Sequence, residues 1–135
     1  MSKPPTTITL AWQENYRFTA VAGDHTLTID GDSKAGWSPV QGLAISIAGC
    51  MAMDVVDILR KGRHPVRALD ARFEGDRAED PPRRFVRIRL TFVVHGEVPG
   101  DAVERAIALS REKYCSVSNS LRPDIEFLTG CEVVA

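Results

Sequence analysis

One long apolar run, SPVQGLAISIAGCMAMDVVDILR from Ser38 to Arg60, dominates the hydrophobic pattern of this chain. Val40, Leu43, Ile45, Ile47, Met51, Met53, Val55, Val56, Ile58 and Leu59 cover nearly every side of a helical wheel, and no proline follows Pro39 within the run. Ser38-Pro39 is a start signal: a hydroxyl that caps free amides, then a ring already set to the first helical φ. Lys61-Gly62 supplies a cation and a stop at the other end. The pattern predicts a buried helix of roughly 30 Å, at about 1.5 Å per residue.

The flanking patterns have the period of strands. Thr7–Trp12 (TITLAW), Phe18–Ala22 (FTAVA) and His25–Asp30 (HTLTID) alternate apolar and polar positions, with Gly23-Asp24 as a two-residue hairpin turn. Residues 1–6 read as a polar tail, and Gly31–Trp37 as a polar loop that is a candidate flap. Beyond the long helix, Val66–Glu74 reads as a strand and the charged, proline-broken DRAEDPPRR as a hairpin tip. Phe85–His95 alternates most clearly: Val86, Ile88, Leu90, Phe92 and Val94 face one side, Arg87, Arg89, Thr91 and His95 the other. Pro99-Gly100-Asp101 opens a second helix whose stripe is Val103, Ala106, Ile107, Ser110, Tyr114, Val117 and Leu121, ended by Arg122-Pro123. Ile125, Phe127, Cys131 and Val133 alternate along a last strand.

Strands grouped as hairpins around two helices predict an α+β fold, a mostly antiparallel sheet with a long buried central helix, as a single domain over residues 1–135. One sheet and one further helix cannot wrap a helix that is apolar all round. A second copy of the chain, packing its central helix against the first, resolves this, so a homodimer with an obligate apolar interface is expected.

Composition narrows the class. The chain has 135 residues, 44% hydrophobic and 26% charged, as globular domains do, and a formal net charge of −1. That balance argues against nucleic acid or an anionic membrane as the main partner. Asp54 and Asp57 interrupt the central run, which therefore reads as a core helix rather than a membrane span. The N-terminal MSKPPTTITLAW lacks a secretory pattern, and the three cysteines form no CxxC pair. A cytoplasmic protein with reduced thiols is expected.

Candidate chemistry then reduces to sulfur. His25, His64 and His95 have no metal-ligand spacing, and the chain lacks a phosphate-binding glycine loop, GxSxG and HExxH. No metal or organic cofactor is expected. Cys50 lies eleven residues after Pro39, too far for that helix terminus to stabilise a thiolate, and Asp54 one turn further on opposes one. Cys50 is thus either packing or a thiol activated by groups from elsewhere. In EKYCSVSNSL, the serines and Asn119 after Cys115 favour a fresh helical turn that puts amides near its sulfur. Cys131 reads as packing.

GCMAMDVVDIL followed about 65 residues later by EKYCSVSNSL resembles the OsmC/Ohr family, over essentially the whole chain. The resemblance implies an intertwined α+β homodimer that reduces organic hydroperoxides, with Cys50 as peroxidatic and Cys115 as resolving cysteine. It implies a Cys50 sulfenic acid, a Cys50–Cys115 disulfide, and reset by an external dithiol. Met and Ile residues of the central helix would line an apolar pocket for the peroxide. Two positions, 41 and 116, depart from the family pattern. Gln41 stands where the family has a glutamate that holds an arginine against the reactive sulfur; Arg17 is the candidate arginine; Ser116 replaces a proline. Gln41 and Cys50 are nine residues apart, on opposite faces of one straight helix, so a shared site requires either Gln41 of a partner chain, the favoured reading, or a break in the helix. Two other functions stay open on the same fold: a small-molecule or lipid-binding dimer without activity, and a cysteine redox sensor.

Overall fold

The computed structural model describes residues 3–135. Six strands and two α-helices follow in the order β1 (Thr9–Glu14), β2 (Arg17–Ala22), β3 (His25–Asp30), α1 (Pro39–Lys61), β4 (Ala68–Arg77), β5 (Phe85–His95), α2 (Gly100–Leu109) and β6 (Glu126–Val134), with short irregular turns between α2 and β6. The order and the α+β class are those the hydrophobic pattern predicts. Of the tail expected over residues 1–6, the first two lie outside the described residues, and 3–6 carry no regular structure. The chain forms two compact units, Met1–Leu43 and Ala44–Ala135.

The N-terminal unit is an antiparallel meander, β1-β2-β3. Ala22 pairs with His25, so Gly23-Asp24 is the two-residue turn its sequence predicts, with Gly23 at φ +57. Register aligns Leu10–Ala20–Leu27 and Trp12–Phe18–Ile29 across the three strands. Because alternate residues share a face, these six form one apolar face, and Thr19 and Thr28 lie on the other. β1 starts later than TITLAW suggests and runs past Trp12, because a bulge and a turn at Asn15 close the hairpin and Trp12 Nε1–H donates to the Asn15 carbonyl at 2.8 Å. The 31–37 loop is tied down by Asp30, which is buried. Its carboxylate accepts the N–H groups of Asp32 (2.9 Å) and Ala35 (3.0 Å), and its own N–H donates to the Trp37 carbonyl at 2.9 Å. Those amides hold the Asp30 carboxyl below its ordinary pKa. Gly36 passes so close to β3 that a Cβ there would meet the Thr28 carbonyl oxygen at 2.2 Å.

Helix α1 opens with a reciprocal cap. Ser38 Oγ accepts the Gln41 N–H at 3.2 Å, and Gln41 Oε1 accepts the Ser38 N–H at 3.0 Å. This is the S-x-x-Q capping box. Ser38 was the legible half; the return bond from Gln41 assigns that side chain a structural task the sequence analysis did not give it.

In the C-terminal unit, β5 is the central strand, antiparallel to β4 and parallel to β6. The single sheet expected from the sequence is therefore two three-stranded sheets. β6 pairs in parallel because it returns through α2, a crossover rather than a hairpin. Ile88, Leu90, Phe92 and Val94 of β5 are fully buried, as the alternation predicts, against Ile47, Met51, Val55 and Leu59 of α1 and Val103, Ala106 and Ile107 of α2. The buried residues of α1 thus form one i, i+4 stripe. By length and composition α1 is apolar enough to cross a membrane; its buried stripe packs as a core helix. Leu43, Ile45 and Met53 remain 40%, 43% and 73% exposed, so the apolar surround noted in the sequence is covered on one side only.

The second helix is shorter than its predicted stripe. α2 ends at Leu109, a π-helical turn spans Ser110–Tyr114, Cys115 is extended at φ −76 and ψ 104, and a 3₁₀ turn covers Ser118–Ser120. The π turn inserts one extra residue per turn, which moves the inward position after Ser110 from i+4 to i+5. Tyr114, expected in the core, is 52% exposed, while Cys115 is fully buried.

Candidate thiol site

Cys50, Asp54 and Cys115 converge within the C-terminal unit. Cys50 and Asp54 sit one turn apart on α1, hence on one face. Cys115 reaches them because the π turn rotates it inward. One ligating atom from each residue, the two sulfurs and a carboxylate oxygen, lies within 4.8 Å of the others. All three cysteines are unbridged; Cys50 is half-buried and Cys115 buried.

The surroundings of the two sulfurs are built from backbone and one serine. Cys115 N–H donates to the Ser110 carbonyl at 2.8 Å, closing the π turn. Ser110 Oγ–H donates to Asp54 Oδ2 at 2.8 Å. Ser118 N–H points at Cys115 Sγ at 3.3 Å, and Asn119 Nδ2–H donates to the Cys115 carbonyl at 2.8 Å. The fresh turn after Cys115 thus brings an amide to its sulfur, as the SVSNS sequence suggests. Burial pushes the Cys50 thiol above its ordinary pKa. The Val117 N–H opposes this by favouring the thiolate, while a hydrogen bond with Cys115 and the charges of Cys115 and Asp54 push further upward. Asp54 opposes ionisation, as its spacing predicts. Ser110 and the Val117 amide were not legible as site groups: a serine inside a buried stripe was the only signal for the first, and a main-chain amide leaves none.

Arg17 and Gln41 belong to the N-terminal unit and are engaged there. Arg17 Nη1 donates to Glu14 Oε1 at 3.1 Å and Arg17 Nε lies 3.9 Å from Asp30 Oδ2. Gln41 Oε1 holds the helix cap and also accepts from Ser33 Oγ at 3.3 Å. Cys131 lies on β6 against the core, its thiol raised by burial. An open groove of about 1060 Å³ runs beside α1 and the start of β4, lined by Met53, Val56, Arg60, Lys61, Arg67 and Leu69 among others. Cys50 is not part of its lining. The Met and Ile residues expected to wall a peroxide pocket divide differently: Ile47 and Met51 are sealed in the core, and Ile45 and Met53 are exposed.

A paired-thiol site on an α+β scaffold of two three-stranded sheets and a long core helix defines the class. Residues 30–129 match the family described as OsmC-like protein, and the chain belongs to that family. It is 40% identical over 128 residues to Protein YhfA of Escherichia coli (strain K12), covering 92% of this chain and 95% of that protein. Its fold is that of a hypothetical protein from Aquifex aeolicus VF5, at TM-score 0.90, 29% identity and 97% coverage of each chain. It is also similar in fold to the organic hydroperoxide resistance protein OhrB of Bacillus subtilis, at TM-score 0.65 and 14% identity, covering 95% of this chain and 98% of that one.

Proposed function

We propose that the protein is a cytoplasmic thiol peroxidase that reduces organic hydroperoxides, acting as a homodimer. The observation that carries this reading is the approach of the Cys50 and Cys115 sulfurs to within 4.8 Å, from positions far apart in sequence. The cycle balances with groups at hand. The Cys50 thiolate attacks the O–O bond, the alcohol leaves with a proton, and Cys50 becomes a sulfenic acid. The Cys115 thiolate attacks that sulfur and releases water, forming the disulfide; an external dithiol then restores both thiols. Bridging needs the sulfurs to close to about 2.05 Å, which side-chain rotation and a small shift at the π turn supply.

The raised Cys50 pKa is the obstacle, because the thiolate is the nucleophile. In this reading a second copy contributes the missing cation: Arg17, oriented by Gln41, faces Cys50 of the other chain. The exposed apolar faces of both units support such pairing. A three-stranded sheet whose Leu10, Trp12 and Leu27 are 57%, 66% and 44% exposed is marginal by itself.

The test counts thiols. Reduced, chelator-treated protein mixed with cumene hydroperoxide should lose two thiols per chain, and Cys50→Ser should lose none. Sustained peroxide consumption with a dithiol makes it an enzyme; oxidation without turnover leaves a redox sensor. Retention of all thiols under excess peroxide would overturn both and leave a binding protein.

A further inference from the structure

We propose that Cys50, Asp54 and Cys115 form a binding site for a thiophilic divalent cation, with Zn²⁺ as the best-fitting ion. The proposal needs only two reduced thiols and stands apart from the peroxidase reading.

The donor set has the right chemistry and nearly the right size. Two sulfurs and one carboxylate oxygen all lie within 4.8 Å of one another. A tetrahedral Zn²⁺ with bonds of about 2.3 Å to sulfur and 2.0–2.2 Å to oxygen sets its ligand atoms roughly 3.5–3.8 Å apart. Closing by about 1 Å through side-chain rotation completes the arrangement. Cys50 and Asp54 sit at i and i+4 on α1, the spacing at which a helix presents two ligands to one ion. Sulfur donors select Zn²⁺ over Mg²⁺ and Ca²⁺.

The support behind these ligands is independent of the ligands themselves. Ser110 is fully buried and holds two of the three. Its hydroxyl fixes Asp54 Oδ2 at 2.8 Å, and its carbonyl accepts the Cys115 N–H at 2.8 Å. A carboxylate has a second oxygen, so the Ser110 bond orients Asp54 without occupying it. Among the described residues Asp54 makes no ion pair, so its charge is left for an incoming cation. Cys50 is half-buried, which leaves the fourth position open to water or a small ligand.

Binding is an exchange without electron transfer. Zn²⁺ displaces one proton from each thiol to solvent and forms two Zn–S bonds and one Zn–O bond. A Cys50–Cys115 disulfide has no thiolate to offer, so metal loading and disulfide formation exclude each other. The metal-loaded protein is protected from oxidation, and oxidation expels the metal.

The test is spectroscopic. Full-length reduced protein, stripped with a chelator, is titrated with Co²⁺ and then back-titrated with Zn²⁺. The expected result is one Co²⁺ per chain with sulfur-to-cobalt charge-transfer absorption, lost when Zn²⁺ is added. The signal should vanish in Cys50→Ser and Cys115→Ser and persist in Cys131→Ser. Affinity should fall by about 10–100-fold in Ser110→Ala and at least as much in Asp54→Asn. Circular dichroism checks that each variant folds. Where a cysteine variant does not, wild-type protein with its thiols oxidised to the disulfide must fail to bind. Absence of the charge-transfer band, binding that survives loss of either cysteine, or an unchanged affinity in Asp54→Asn overturns the proposal. Peroxide consumption, measured without metal, succeeds or fails independently of this titration.

Discussion

At the scale of single residues, the chemistry of Cys50 is set by opposed neighbours. Burial and the Asp54 charge hold its proton on, and the Val117 N–H favours its release. Neutralising Asp54 removes a negative charge beside the sulfur, so the thiolate costs less and the pKa falls. Asp54→Asn, in metal-free protein, should therefore shift the pH profile of Cys50 alkylation by iodoacetamide to lower pH. An unchanged or upward-shifted profile would show that Asp54 does not act on the sulfur. Ser38 offers a separate residue-scale test. Ser38→Ala removes the hydroxyl that caps α1, and should cost about 0.5–2 kcal/mol in urea unfolding. Spacing put Asp54 beside Cys50, whereas the pairing of Cys50 with Cys115 came from the resemblance to the OsmC/Ohr family and not from spacing or residue type. The sequence did not disclose that Ser110 ties Asp54 to Cys115, since a small polar residue in a buried stripe looks like a gap in the pattern until its partner is known.

At the scale of elements, the strongest signals belonged to β5 and α1. Alternation over Phe85–His95 named Ile88, Leu90, Phe92 and Val94 as buried because that face of β5 packs on the core, while Val86 at the start of the same face is only half-buried. Phe92→Ala should accordingly destabilise by about 3–5 kcal/mol, read from thermal or denaturant unfolding. The reading of α2 broke down after Ser110 for a definite reason. A helical stripe assumes 3.6 residues per turn throughout, and the π turn at Ser110–Tyr114 resets its phase. Inserting an alanine after Glu112, an exposed residue within that turn, makes Cys115 the sixth residue after Ser110 and should carry it off the inward position. The insertion variant is expected to fold but to form no Cys50–Cys115 disulfide under peroxide, as non-reducing mass spectrometry would show. The parallel pairing of β6 was equally illegible, because alternation fixes which face a strand buries but not which neighbour it adds to.

At the scale of the whole molecule, exposed apolar surface is the main unsatisfied term. Met53 is 73% exposed in the middle of the longest helix, and the meander presents Leu10 and Trp12. The Met53 surface was visible in the sequence as an apolar surround of the central helix too wide for one chain to cover, whereas the exposed face of the meander was not. Met53→Glu places a charge in that surface and, if the proposed homodimer buries it, should shift the protein to monomer in sedimentation velocity. An unshifted sedimentation coefficient would remove α1 from the subunit contact.

The Ser38–Gln41 cap carries an evolutionary corollary. A glutamate closes the same pair of hydrogen bonds as a glutamine, and its charge suits the start of a helix. Glutamine and glutamate codons differ by one base. A lineage carrying either residue at position 41 keeps this cap, so the charge there can be gained or shed in a single step without disturbing the start of α1.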